Sequence, residues 1–317
     1  MTGAGVSDRS ALGKAAVSGR DRATFLQGML SNDVKALPPG QGCPAAFLDA
    51  HGKVVSLLAV YALADRFLLE LPAGSTEKFL QAIDKYLISE KAYFEAADEV
   101  YAILVLQGPD AETILSGLSG AALDLAPYAH AEVSIAGAAV HVMRRDDSVT
   151  PGFHCWTAPA HAATLRQALC GAGAVPVGAE TLEVLRLEAG LPVFGRDVDE
   201  TVILPETRLD AFVSYTKGCY IGQETVARVK YRGHINRGLA GLVLEGERVP
   251  SPGDVVIAED KEVGRLTSAV RSIALGRPIG LGYVRREHFE PGAPVSLKMG
   301  ESLVPARVSA LPFVKPA

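Results

Sequence analysis

Two rhythms of apolar and polar positions run along the chain, and the change from one to the other divides it. Across residues 1–190, short runs of period two are interleaved with segments whose apolar positions recur every three or four residues. These are the marks of strands and amphipathic helices. Residues 14–18 read as a short strand, and Asp21 as the N-cap of a helix running to Leu30. Two apolar runs within residues 45–63 flank the turn-forming string Asp49-Ala50-His51-Gly52-Lys53, which predicts a hairpin. A third strand is expected over residues 67–71. Ser75 then opens a helix with Phe79, Leu80, Ile83, Tyr86 and Leu87 on one face. A further helix starts near Ala179 and buries Leu182, Leu185 and Leu187.

A weak internal echo accompanies this pattern. Gly19-Arg20-Asp21…Thr24-Phe25-Leu26-Gln27-Gly28 is answered by Gly108-Pro109-Asp110…Thr113-Ile114-Leu115-Ser116-Gly117. Each copy follows a strand-like run and opens a helix, as if one strand–turn–helix unit were used twice. Turns of this kind favour Gly, Asp and Pro in any protein. The echo therefore supports two related α+β lobes without requiring them.

From Leu239 the rhythm changes. Short β-prone runs at 239–244, 254–258, 279–284 and 295–298 alternate with Pro/Gly turns such as Pro250-Ser251-Pro252-Gly253 and Pro291-Gly292. Even spacing of this sort predicts a small barrel or sandwich of roughly 80 residues. The expected organisation is α+β, with a region 1–237 of two lobes and a β-domain 238–317.

Composition narrows the function classes. The 317 residues are 48% apolar and 21% charged, enough to build full cores. A net charge of −5 argues against broad attraction to nucleic acid or an anionic membrane. Residues 1–10 lack the apolar core of a signal peptide, and the near-apolar run 54–64 is too short to span a bilayer. Four cysteines (Cys43, Cys155, Cys170, Cys219) form no CxxC pair, so a reducing cytoplasm is expected. His154-Cys155 is the one close His/Cys pair and has no second half at ligand spacing, so no metal site is expected. No GxSxG, HExxH, P-loop or GxGxxG stands in the context its chemistry needs.

Three strings can carry chemistry. In Thr216-Lys217-Gly218-Cys219-Tyr220-Ile221-Gly222-Gln223-Glu224, two glycines four apart imply a backbone that turns at φ > 0 or is closely approached. With a helix predicted over 223–230, Cys219 falls just before a helix N-terminus and near Lys217, surroundings that favour a thiolate. From its surroundings alone, the same cysteine reads first as a small buried hydrophobe in a turn. In Arg186-Leu187-Glu188-Ala189-Gly190, Glu188 stands among apolar neighbours. It needs a partner: an ion pair to Arg186 or Arg196, or a ligand offering two adjacent N–H donors, as a pterin does. Arg228, Lys230, Arg232 and Arg237 form a basic cluster that suits a carboxylate or phosphate, or merely a solvated face.

Taken together the strings resemble one family. Residues 216–224 are similar to the KGCYxGQE signature of the YgfZ-type folate-binding proteins of the aminomethyltransferase superfamily, followed here by Arg232-Gly233 and Arg237. Phe25-Leu26-Gln27-Gly28…Ser31-Asn32-Asp33-Val34 and Arg186–Gly190 resemble the superfamily's N-terminal and central patterns. Residues 263–268 and 279–284 resemble its C-terminal barrel. The resemblance implies two α+β lobes and a β-barrel in a three-leaf ring around a central folate channel. It implies tetrahydrofolate, or a folate derivative, as cofactor. Cys219 and Lys217 would be the catalytic pair, and Glu188, Tyr220, Gln223, Arg232 and Arg237 would face the folate.

The implied role is support of iron–sulfur cluster assembly or repair, and so of iron–sulfur enzymes such as those that modify tRNA. Its partners would be iron–sulfur client or assembly proteins, with no membrane and no direct nucleic-acid binding. Aminomethyltransferases of the glycine cleavage system carry an acidic pair after the first hairpin turn. Here that stretch reads His51-Gly52-Lys53-Val54-Val55-Ser56-Leu57-Leu58, without an acid. Loss of a positioned acid/base costs about 10²–10⁴-fold in rate. The expectation is therefore a maturation factor, the alternative being a tetrahydrofolate-dependent aminomethyltransferase or related one-carbon transferase.

Overall fold

A computed structural model describes residues 3–315, so the first two residues of the stretch 1–10 lie outside it. The chain divides into two compact units. One takes the chain up to Asp146 together with Thr150–Val177 and Asp210–Gln223. The other takes Asp147–Val149, Gly178–Leu209 and the chain from Glu224 onward.

In the first unit β1 (Gly5–Asp8) precedes β2 (Gly13–Ser18), α1 (Arg22–Met29), β3 (Gly42–Leu48), β4 (Val54–Ala62) and β5 (Phe67–Leu71). Then come α2 (Thr76–Asp84), β6 (Tyr93–Ala96), β7 (Ala102–Gln107) and α3 (Ala111–Ser119). The unit's remaining elements are β8 (His130–Ile135), β9 (Ala138–Arg144), β10 (Gly152–Thr157), α4 (Pro159–Gly171) and β11 (Val175–Pro176). One sheet runs β3-β4-β5-β2-β6 and the other β11-β1-β7-β10-β9-β8.

Period two in the strands sorts their side chains between two cores. Ala15, Val17, Val60 and Leu69 meet Phe25 and Leu26 of α1 and Phe79 and Ile83 of α2. Leu104, Leu106, Val142 and Cys155 meet Ala111 and Leu115 of α3 and Leu165 and Leu169 of α4. The opposite faces meet each other through Ala16, Ala59, Tyr61, Leu68, Ile103, Val105 and Trp156. The result is helices, sheet, sheet, helices. Within the inter-sheet layer, buried Glu70 accepts hydrogen bonds from Arg145, from His154 Nδ1 at 3.0 Å and from Trp156 Nε1 at 3.2 Å.

Two local expectations shift. Asp21 occupies the N-cap position of α1, but its carboxylate accepts the Lys91 N–H at 2.8 Å instead of a helical one. The helix opened by Ser75 stops at Asp84, where Tyr86 N→Ile83 O and Leu87 N→Asp84 O bonds tighten its last turn. Leu87 still packs on the core, whereas Tyr86 is 39% exposed and meets Phe47 in a T-shaped ring contact.

The second unit holds α5 (Ala179–Glu188), while α6 (Gln223–Arg232) opens at the junction. Its strands are β12 (Arg237–Leu244), β13 (Val255–Ala258), β14 (Lys261–Arg271), β15 (Pro278–Arg285), β16 (Pro294–Met299) and β17 (Ser302–Ser309). They close in the order β12-β15-β14-β13-β16-β17. Closure leaves no strand edge open. Ala240, Leu242, Leu266, Val284 and Leu297 pack together as the barrel's core, while Leu239, Ile279, Leu281 and Tyr283 pack with Leu187 of α5.

Candidate functional site

Each unit carries its own set of candidate residues. In the first, residues 210–223 form a strap laid over the loop after α1. Ser31 Oγ donates to Phe212 O at 2.6 Å, Asn32 Nδ2 to Ala211 O at 2.9 Å, and Ser214 N to Ser31 O at 3.0 Å. Ile221 N donates to Gly28 O at 3.2 Å. The 27–34 string and the 216–224 string, some 190 residues apart along the chain, are thereby one local structure.

Lys217 is the rivet of this strap. Its Nζ donates to Gln27 O at 2.7 Å, Leu30 O at 2.6 Å and Asn32 O at 2.8 Å, and lies 5.0 Å from the centroid of the Tyr220 ring. Those carbonyls include the ones that α1 leaves open at its end. Burial pulls the ammonium down to about 8, against the opposing pull of Asp33 and Cys43. All three N–H groups are thus committed to carbonyls.

Cys219 is exposed, and α6 opens only at Gln223. Cys43 and Cys155 are both pushed up to about 12 by burial. Tyr220 is also pushed up to about 12 by burial, and its N–H donates to Gln223 Oε1 at 3.2 Å. Gly222 has φ +83, and a Cβ there would stand 2.5 Å from Asp49 O. That glycine is what seats the strap on the first hairpin turn, where Asp49 Oδ1 accepts the N–H groups of His51 and Lys53, each at 2.9 Å.

In the second unit Glu188 ends α5 and is 6% exposed. It is not paired with Arg186 or Arg196. Arg186 binds Glu183, donates to Asp197 Oδ2 at 2.6 Å and reaches Ser268 Oγ at 2.7 Å, while Arg196 binds Glu183 at 2.7 Å. Glu188 Oε1 accepts Ser272 Oγ–H at 2.7 Å and Ala274 N–H at 2.9 Å. Among the described residues nothing donates to Oε2.

Asp197 is a residue the sequence did not single out. Its Oδ1 accepts Thr267 and Ser268 hydroxyls at 2.6 Å each, which ties the loop after α5 to β14. Its signal in the sequence is a carboxylate directly after Gly195-Arg196, at a turn that follows α5.

The basic cluster divides. Arg232 ends α6 exposed to solvent. Arg237 pairs with Glu206 at 3.3 Å and lies 5.1 Å from the Tyr283 ring centroid. Burial raises Glu206 above the usual carboxylate range, opposed by Arg237. Arg237, Arg285, Arg286, His234 and Asn236 share a cavity of about 490 Å³ with Glu206 and Glu287.

His154 and Cys155 point to opposite faces of β10, one toward Glu70 and one into the core beside α3 and α4. Among the described residues no three His, Cys, Asp or Glu side chains are grouped to hold a metal ion.

Comparison with known proteins supplies the family. Residues 1–217 match the GCVT N-terminal domain, and residues 237–315 match the glycine cleavage T-protein C-terminal barrel domain. The chain belongs to the glycine cleavage T-protein family. It is 32% identical to an aminomethyltransferase of Streptomyces coelicolor over 324 residues, covering 99% of this chain and 87% of that one. It is 34% identical to an aminomethyltransferase of Rubrobacter xylanophilus over 321 residues, covering 99% and 84%. The crystal structure of glycine cleavage system aminomethyltransferase T from Bartonella henselae superposes with a TM-score of 0.91 at 24% identity, over 99% of this chain and 87% of that one. That last likeness is one of fold.

These matches correct the expectation drawn from the KGCYxGQE string. They support the superfamily and not its YgfZ-type branch. Relatives matched over the full chain are aminomethyltransferases, so the role in iron–sulfur assembly and tRNA modification, with its client partners, does not stand. No helix among the described residues is long and apolar enough to cross a membrane.

Proposed function

We propose that the protein is a tetrahydrofolate-dependent aminomethyltransferase or a closely related one-carbon transferase. The observation that carries this reading is Glu188: among the described residues, a buried carboxylate with no cation beside it, held on one oxygen and open on the other. Such a group needs water or a ligand to complete its hydrogen bonding, and a ligand that brings two N–H donors displaces that water. The exocyclic amine and adjacent ring N–H of a pterin supply two donors, as many as the open oxygen has lone pairs. The cofactor, when bound, supplies the nitrogen that carries the one-carbon unit.

The chain's own residues bind and orient. Glu188 receives the pterin. Arg237, held between Glu206 and the Tyr283 ring, offers a cation to the carboxylates of a folate tail, with Arg232 as a second, solvated one. Lys217, Tyr220 and Gln223 act by holding the strap that presents Cys219, so Lys217 is assigned a positioning role. The four cysteines are free thiols, which suits a cytoplasmic setting.

The acid-free stretch sets the expected rate. Val55 packs against the first core, and Ser56 is 3% exposed with its hydroxyl 3.4 Å from Leu57 O, so neither moves a proton readily. Turnover from an aminomethylated lipoyl carrier protein to tetrahydrofolate should therefore be measurable but about 10²–10⁴-fold slower than for an acid-bearing relative. Formation of methylene-tetrahydrofolate by purified protein tests the reading. No product above the uncatalysed rate, with the carrier and the Streptomyces coelicolor aminomethyltransferase active in parallel, would remove it.

A further inference from the structure

We propose that the turn at residues 272–277, between β14 and β15, is the second half of the pterin site, and that Ser272 is a positioning residue that fixes which oxygen of Glu188 meets the ligand. The inference rests on the folate reading and adds to it a rule for orientation.

The turn is closed on itself. Ser272 N donates to Arg277 O at 2.9 Å and Gly276 N to Ser272 O at 3.1 Å. Ser272 is 1% exposed, and its Oγ accepts Leu275 N–H at 3.0 Å. A hydroxyl has one proton to give. With Leu275 N–H filling an acceptor site, the Ser272 proton is directed to Glu188 Oε1, 2.7 Å away. Ala274 N–H, a donor that can never accept, meets the same oxygen at 2.9 Å.

A carboxylate offers about four lone-pair positions, two on each oxygen. Two donors therefore saturate Oε1, and the pair that remains lies on Oε2. A ligand reaching this carboxylate must bring N–H donors to Oε2.

The same geometry makes an amide at position 188 the wrong replacement. In Glu188→Gln the Ala274 N–H and the directed Ser272 hydroxyl hold the amide oxygen at the Oε1 place. The NH₂ group is left to face the ligand's own N–H groups. The isosteric change then replaces attraction by repulsion, which it would not do if the side chain could turn over.

Calorimetric affinities of tetrahydrofolate and of its analogue lacking the 2-amino group decide the matter, measured on wild type, Ser272→Ala, Ser272→Thr and Glu188→Gln. The wild type should prefer tetrahydrofolate. Ser272→Ala should lose about tenfold or more of its affinity for tetrahydrofolate and little for the analogue, and Ser272→Thr should restore it. Glu188→Gln should lose about a hundredfold and no longer prefer tetrahydrofolate to the analogue.

Equal losses for both ligands in Ser272→Ala would make the serine a scaffold residue and overturn the proposal. Should that variant not fold, Glu188→Gln decides alone: if it keeps the wild-type preference, the turn does not set the orientation. Absence of tetrahydrofolate binding to the wild type is a different failure, since it removes the folate reading itself.

Discussion

Gly222 bears two constraints at once, a φ of +83 and a neighbouring backbone oxygen 2.5 Å from where its Cβ would be. Gly222→Ala should cost about 2–4 kcal/mol, read as a lower melting temperature and faster proteolysis of residues 210–223. Lys217→Met strips three carbonyls of their donor. It should cost about 2–4 kcal/mol even though methionine fills similar space. In a thiol-labelling experiment near neutral pH, exposed Cys219 should react well before Cys43 and Cys155, whose thiols stand near 12; early labelling of Cys155 would refute its burial.

At this scale the sequence was half legible. Two glycines four apart announced a strained turn, yet Gly218 has open space where its Cβ would go and only Gly222 is constrained. The partners of Lys217 lie some 190 residues away, beyond any local pattern. Arg186 could have been set aside as the partner of Glu188 from spacing alone, since residues two apart on a helix do not face each other. Ser272 left no local trace, because its meaning depends on a long-range contact with α5.

At the scale of elements, the echo between residues 19–28 and 108–117 becomes a duplicated unit. Gly19 and Gly108 both have positive φ, at +96 and +136, and at each a Cβ would stand about 2 Å from a neighbouring carbonyl. Asp21 and Asp110 then open α1 and α3 with nearly the same backbone angles. The orders β3-β4-β5-β2 and β8-β9-β10-β7 match position by position, and beyond them the sheets differ, β6 following β2 in one and β1 and β11 following β7 in the other. Strands and helices were readable because each buries one face. The pairing of β1 with β7 was not, because period two names a face and not a neighbour.

Where the two sheets meet, Glu70 accepts from three donors on the partner sheet's strand β10 and the residue after β9. Glu70→Gln sets an NH₂ among them and should cost about 3 kcal/mol. Thermal unfolding of the variant checks this. An unchanged melting temperature would mean that the donors find other acceptors.

For the whole molecule, tetrahydrofolate at a hundred times its dissociation constant should add about 2.7 kcal/mol of stability, read as a rise in melting temperature, and the gain should shrink to about 0.4 kcal/mol in Glu188→Gln at the same concentration. The barrel and the family were visible in the strings near Gly264 and Gly280, whereas the branch within the family was not. KGCYxGQE reads as a signature, but much of the string serves to seat a strap, as Lys217 and Gly222 show, and a seating requirement can be shared by proteins of different activity.

One consequence concerns how the chain is made. The sheet β3-β4-β5-β2-β6 draws all its strands from one continuous stretch and can close as soon as that stretch has left the ribosome. The other sheet cannot. Its place between β7 and β11 is filled by β1, where Val6 pairs with Leu106 on one side and Pro176 on the other. The nascent β1 must stay unpaired while the first sheet assembles and then find partners synthesised long after it. Pairings this distant in sequence are slow to form and leave strand edges exposed meanwhile. Translation order thus gives the two halves of the duplication different folding histories, with the second sheet the later to close and the one whose incomplete state offers an edge to other chains.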